Sequence, residues 1–239
     1  MSILIHGDTT VIIQGITGRE AVNLTREGLD YGTKIVGGVT PGRAGRDVYG
    51  VPVHDCVRDI TAKTHVDGSV VTVPPRFTRD AVFEAIEAGV KLLVIVTERI
   101  PRGEVAQMVE LARLRGARII GPNCLGIIVP DVIKMGGIGG PAKDAAKAYA
   151  PGPVGVMSRS GGMTTEISSA TVMPAASRRA IFSVAVSSLP STIVPAWPKL
   201  MPGISSMKRP AMNATIGSRE LFSVTHLASS ASIRPPGSV

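Results

Sequence analysis

A chain of 239 residues with 44% hydrophobic, 3% aromatic and 18% charged residues has room for one large domain or two small ones, with a core of Val, Ile, Leu and Ala. Two cysteines, Cys56 and Cys124, exclude a disulfide framework and fit a reducing, cytoplasmic setting. No apolar run is as long as a membrane span, and the N-terminus lacks the basic-then-apolar pattern of a signal peptide. The net charge of +8 does not point to nucleic acid: from Thr171 onward seven basic residues face one acid, Glu220, and hold +6 of the excess. The remainder is nearly balanced, with no basic stripe and no interleaved aromatics for bases to stack on.

Apolar runs alternate with helical patterns along the first 170 residues. Thr10 to Gln14 predicts a buried strand ending at Gly15. Arg19 to Tyr31 predicts a helix, with Ala21, Val22, Leu24 and Leu29 on its inner side and Gly32 as its stop. Lys34 to Val39 is the second strand and Thr40-Pro41-Gly42 a turn; a short helical stretch runs from Asp55 to Ala62. Gly68 to Val73 is the third strand, closed by Pro74-Pro75, and Thr78 is expected to cap the next helix, which ends at Gly89. Lys91 to Glu98 holds the fourth strand, Glu104 to Arg115 a helix and Arg118 to Ile120 the fifth strand. A looser stretch is expected from Gly121 to about Ala150, then a strand over Pro153 to Met157 and a helix starting near Met163. This alternation predicts an α/β fold, a Rossmann-like doubly wound parallel sheet whose ligand site lies beyond the carboxyl ends of its strands.

After Ala170 the pattern changes. Pro174, Pro190, Pro195, Pro198, Pro202 and Pro210 interrupt every candidate element, serines are frequent, and acids almost vanish. Only Ala180 to Val186 reads as a possible strand. Two readings stand side by side for residues 171–239: an irregular or disordered tail, and a segment translated out of frame.

Two positions carry chemistry on their own. Gln14-Gly15-Ile16-Thr17-Gly18-Arg19-Glu20 sits between a strand and a helix, where glycines let the backbone approach an anion and the helix start offers N–H groups to it. Its G-x-x-G spacing falls short of the full dinucleotide fingerprint and serves an ordinary tight turn equally well. At the end of the second strand a NAD site wants an acid, and this chain has Val39-Thr40-Pro41-Gly42-Arg43. A guanidinium there suits a phosphorylated ribose, which leaves the 3′-phosphate of coenzyme A, the 2′-phosphate of NADP and a merely solvated arginine all open. Distant cysteines and scattered histidines have no metal-ligand spacing.

Five ordered motifs carry a resemblance: Gly15-Ile16-Thr17-Gly18; Tyr31-Gly32-Thr33-Lys34 running into Val36 to Gly42; Ile95-Val96-Thr97-Glu98 with Ile100-Pro101; Gly121-Pro122-Asn123-Cys124; and Ser158-Arg159-Ser160-Gly161. In this order they resemble the α subunit of succinate–CoA ligase and its malate–CoA ligase and citryl-CoA-forming relatives, over about residues 1 to 170. The resemblance implies a CoA-binding Rossmann-type domain over 1–150 and the start of a flavodoxin-like ligase domain over 151–170, ahead of the irregular or out-of-frame tail over 171–239. It implies a coenzyme A site at Thr17, Gly18, Arg19, Glu20, Arg43, Val96, Thr97, Glu98, Asn123 and Cys124. Arg43 stands where the family commonly has lysine, and Cys124 reads better as a buried thiol than as a nucleophile. Ser158, Arg159, Ser160, Gly161 and Gly162 match the helix start that steadies a phosphohistidine in the family, a ready anion site. Thr165 stands where a tyrosine is usual, which bears on the acid substrate.

The family's reaction joins a small dicarboxylate to coenzyme A at the expense of ATP or GTP, as in the tricarboxylic acid cycle. Nucleotide and magnesium are bound through a partner β subunit, in a heteromer. The phosphohistidine that carries the reaction lies in a Gly-His-Ala-Gly-like loop. His6, His54, His65 and His226 are the only histidines, and none stands in such a loop, so no catalytic residue is assigned and the chain is expected to be inactive alone, a truncated or degenerate α subunit. Two other readings follow: a non-catalytic CoA- or dinucleotide-responsive regulator, which lacks a visible helix-turn-helix, and an NADP-dependent oxidoreductase domain, which Arg43 permits.

Overall fold

A computed structural model describes residues 4–158, 160–171 and 180–186, all within one unit spanning Met1–Leu200. Four consecutive strand–helix steps and a closing strand build its first part. β1 (Thr10–Gln14) leads to α1 (Arg19–Asp30), then β2 (Lys34–Val39), the short β3 (Asp47–Val48) and β4 (Val51–His54), and α2 (Val57–Thr61). β5 (Gly68–Val71), α3 (Pro75–Glu87), β6 (Leu92–Ile95), α4 (Arg102–Arg115) and β7 (Arg118–Ile120) complete it. The strands form one sheet in the order β3-β4-β2-β1-β5-β6-β7, parallel throughout except for the β3–β4 hairpin at its edge. Without β3 this is the doubly wound Rossmann order, so the expected fold class is the one observed, and the direction of winding reverses between β1 and β5.

Alternation along each strand explains why both faces of the sheet are covered. Val11, Ile13, Val70 and Val94 enter one apolar cluster with Ala21 of α1. Ile12, Val71, Leu93 and Ile95 enter the other with Val82 and Ala85 of α3 and Met108 of α4. Side chains one residue apart point to opposite faces, so a run such as Val11-Ile12-Ile13 feeds two cores at once. Gln14, at the end of β1 and 1% exposed, is the polar exception: its amide donates to Ala81 O at 2.8 Å, and its Oε1 accepts from the Ser69 hydroxyl at 2.8 Å. Both ends are satisfied, which makes its burial tolerable.

The sequence reading needs four corrections. Strand β5 ends at Val71, because the Thr72 N–H and hydroxyl both turn to Gln14 O, at 3.0 and 2.8 Å. Thr78 does not cap its helix: α3 begins at Pro75, and the Thr78 hydroxyl bonds back to the Val73 and Pro74 carbonyls from inside the first turn. The hairpin β3–β4 was not expected, and its turn runs through Tyr49 and Gly50, both at positive φ. The stretch expected to be loose instead holds β8 (Cys124–Val129), β9 (Ile133–Gly136) and α5 (Ala142–Ala148).

β10 (Pro153–Ser158), α6 (Gly161–Thr171) and β11 (Ala180–Val186) follow. A second sheet runs β10-β11-β8-β9, with β10 parallel to β11 and the other pairs antiparallel. The expected strand at Ala180 to Val186 is therefore present within a region otherwise expected to be irregular; apart from Thr171, which ends α6, the rest of 171–239 lies outside the described residues. This sheet takes strands from both sides of residue 150. Its β8–β9 hairpin closes over α1, where Ile127, Ile133 and Met135 join the first cluster. Among the described residues no helix is long and apolar enough to cross a membrane.

Candidate functional site

At the point where the sheet reverses its winding, the loops after β1 and β5 part and leave a crevice. A cavity of about 660 Å³ opens there, a size suited to a small-molecule ligand. Its floor comes from three loops at the carboxyl ends of the strands: Thr72 to Pro75 after β5, Val96 to Arg99 after β6, and Asn123 to Leu125 after β7. Glu20, in the first turn of α1, and Gly161 and Gly162, at the start of α6, close its sides.

The three loops are stitched side by side. Val96 N–H donates to Val71 O at 3.0 Å, the Thr97 hydroxyl to Val73 O at 2.8 Å, and Asn123 N–H to Thr97 O at 2.9 Å. Bonds of this kind hold a site rigid before a ligand arrives, which lowers the ordering cost of binding. The Cys124 thiol donates to the carbonyls of Ile95 and Ile120 at 3.2 and 3.4 Å. Burial pushes its pKa up to about 12, which favours the protonated thiol at neutral pH. It fastens the third loop to β6.

On the other side of β1, Gly15 carries the chain into α1 at φ +86°, with its N–H on Val39 O at 2.7 Å. Gly18 N–H returns to Gly15 O at 2.9 Å and Gly18 becomes the N-cap of α1, so the first N–H groups of that helix face outward without intrahelical partners. The Thr17 hydroxyl donates to the Thr40 hydroxyl at 3.2 Å, and that in turn to Val39 O at 2.8 Å. Thr40 thus ties the turn after β1 to the loop after β2, where Arg43 sits. That loop is organised by one carboxylate: Asp55 Oδ1 accepts N–H groups from Gly42 at 2.8 Å, Arg43 at 3.2 Å and Ala44 at 3.2 Å.

Of the residues singled out from sequence, Glu20, Val96, Thr97, Glu98, Asn123, Cys124, Gly161 and Gly162 come together on the cavity. Thr17, Gly18 and Arg19 form the adjoining turn, and Arg43 stands exposed on its own loop. Ser158 and Ser160 hold each other, with Ser160 N–H on the Ser158 hydroxyl at 3.1 Å, while Ser160 O receives Thr164 N–H at 3.0 Å as α6 begins. Arg159 lies outside the described residues. Thr165 bonds through its hydroxyl to the Tyr149 hydroxyl at 2.9 Å, between α5 and α6, and is not among the residues lining the cavity.

Sequence reasoning missed Thr72, Val73, Pro74, Pro75, Arg99 and Leu125. In the sequence Pro74-Pro75 marks only the stop of a strand; a strand stop at a reversal of winding is itself a ligand-facing position. Among the described residues no group of three or more His, Cys, Asp or Glu side chains is placed to hold a metal ion.

Residues 6–99 match the CoA binding domain family. The chain is 43% identical over 169 residues to succinate–CoA ligase [ADP-forming] subunit alpha 1 of Archaeoglobus fulgidus, covering 70% of this chain and 55% of that one. It is 41% identical over 172 residues to the SauD subunit of the ADP-forming sulfoacetate–CoA ligase of Bilophila wadsworthia, covering 72% and 58%. The chain therefore spans little more than half the length of these relatives. Among solved structures, ATP citrate lyase from Methanothrix soehngenii, in complex with citrate and coenzyme A, superposes with a TM-score of 0.67 at 21% identity, over 77% of this chain and 32% of that one, a likeness of fold.

Proposed function

We propose that the cleft takes coenzyme A: residues 6–99 match the CoA binding domain family, and over 169 residues the chain is 43% identical to a succinate–CoA ligase α subunit. The observation that carries this reading is the cavity itself: eight residues singled out by motif alone converge on one crevice at the carboxyl edge of the sheet. The coenzyme's pyrophosphate lies against the turn Thr17 to Glu20, where N–H groups and the helix dipole favour an anion. Its phosphorylated ribose is met by Arg43, and its pantetheine arm runs along Val96, Thr97 and Glu98 toward Asn123 and Cys124. Ser158 to Gly162 offer a second anion position at the start of α6, and Thr165 acts on the acid substrate through the wall that holds α6.

In this reading the chain supplies the coenzyme half of an acid–CoA ligase, working with a β subunit that brings ATP or GTP and magnesium to a small dicarboxylate. Among the described residues, His6, His54 and His65 do not line the cleft, and in this reading none of them is assigned to phosphoryl transfer. Heating the full chain with and without ligand tests the proposal. Coenzyme A at a hundredfold its dissociation constant stabilises the fold by about 2.7 kcal/mol and raises the melting temperature, while NADP leaves it unmoved. A rise with NADP and none with coenzyme A overturns the reading.

The Asp55 carboxylate gives a sharper test of the role of Arg43. With Asp55→Ala, three N–H groups lose their acceptor and the loop loses its fixed shape. The preference for coenzyme A over dephospho-coenzyme A is expected to fall about tenfold, which titration of both ligands measures. Asp55→Asn, which keeps one acceptor oxygen, retains part of the preference.

A further inference from the structure

Arg99 is the one cation among the described residues that line the cavity, and it shares that lining with two acids, Glu20 and Glu98. A ligand with several negative charges meets repulsion in such a cleft unless a cation answers it. The side chain is 86% exposed, and its Nε lies 3.5 Å from Glu98 Oε1, its one ion-pair partner among the described residues. That is a loose, solvent-exposed pair, which ties down only the inner nitrogen of the fork.

The backbone of Arg99 is the second observation. Its φ is +60°, in the left-handed region that an unbranched L side chain enters at a cost and glycine enters freely. The chain must reverse here, between the end of β6 at Ile95 and Pro101, which caps α4. Glycine would make that reversal without strain. A residue held against its backbone preference at the rim of a cleft points to function, provided something besides the turn uses it.

We infer that Arg99 is a ligand-selecting residue that receives an oxyanion of the molecule bound in the cleft, through the free end of its guanidinium. The oxyanion is a phosphate of the coenzyme or a carboxylate carried on its thioester; both match the planar fork. This inference rests on the coenzyme A reading and goes beyond it by adding a contact that the family motifs do not mark.

Arg99→Gly and Arg99→Lys in the full chain test it. The glycine variant is expected to melt at the same temperature as the wild type or about 2–4 °C higher, since strain is relieved. It is expected to bind its ligand about tenfold more weakly, with Arg99→Lys in between. Titrations with coenzyme A, dephospho-coenzyme A, acetyl-CoA and succinyl-CoA identify the oxyanion. An equal loss for all four assigns the pyrophosphate, a loss for all but dephospho-coenzyme A the 3′-phosphate, and a loss confined to succinyl-CoA the carboxylate. If wild type and Arg99→Gly bind all four alike, Arg99 is only a turn residue and the inference fails. A wild-type chain that binds none of them overturns the coenzyme reading itself, and this inference with it.

Discussion

Truncating Lys134 to alanine is expected to cost the fold about 3–5 kcal/mol, the usual consequence of removing one partner from a buried charged network. The Lys134 side chain is fully buried in β9, beneath α1. Its ammonium reaches Gly140 O, Ile138 O at 3.5 Å and Glu27 Oε2 at 3.4 Å. Burial pulls its pKa below the ordinary lysine value, and Glu27 with Asp30 opposes that pull. Its backbone is fixed as well: the Thr33 hydroxyl donates to Lys134 O at 2.7 Å. The one side chain therefore joins α1, β9 and the loop before α5. Removing it strands the largely buried carboxylate of Glu27 and two carbonyls beside a new cavity. Lys134→Met keeps the apolar stem and is expected to lose less. Urea unfolding of both variants measures the difference; a midpoint for Lys134→Ala within 1 kcal/mol of wild type in free-energy terms would show that the network is not holding the hairpin.

Gly38→Ala is expected to damage the site more than the fold. A methyl group there would lie 2.3 Å from Ile16 Cδ1 and 2.7 Å from Ile16 Cβ, so the clash reaches the root of that side chain. Ile16 is fully buried and sits between Gly15 and Thr17, in the turn proposed to hold the pyrophosphate. Relief requires the turn to withdraw, which also pulls Thr17 from Thr40. Overpacking of this kind costs about 1–3 kcal/mol. Affinity for coenzyme A is expected to fall at least tenfold, about 1.4 kcal/mol or more, because the helix start moves from its position. Gly37→Ala is the control. Its methyl would meet the far end of Ile60, at 2.9 Å, on the opposite face of β2, so stability falls while affinity holds. Equal affinities in Gly38→Ala and wild type would detach the turn from the ligand.

The parallel strands were legible because their composition leaves little choice. Thr10 to Gln14, Lys34 to Val39 and Arg118 to Ile120 each hold an apolar run, flanked by glycine or by helical pattern, and appear with those bounds. Short edge elements were not. β3 has two residues, too few for any period, and Tyr49 at φ +53° gives no turn signal by residue type. The β8–β9 hairpin hid in an apolar run whose pairing depends on Gly126 and Gly136 lying face to face at positive φ, a long-range fact. The burial of Lys134 had no signature, since its acceptors come from α1 and from carbonyls four and six residues on.

The site was legible in the same uneven way. Residues that belong to motifs found one another on the cavity, while Thr72, Pro74 and Arg99 joined them only through strand order. Strand order decides which loops become neighbours, and hydrophobic periodicity does not report it. Thr165 shows the converse: a position marked by motif faces Tyr149 across α5 and α6.

Calorimetric titration of coenzyme A, and separately of dephospho-coenzyme A, into the full chain tests the central claim most directly. One saturable site for coenzyme A, with weaker binding of the dephospho form, is the expected result and supports both the cleft and Arg43. No heat from either ligand, at concentrations where NADP does bind, would contradict it and leave the crevice a site for a different phosphorylated ribose.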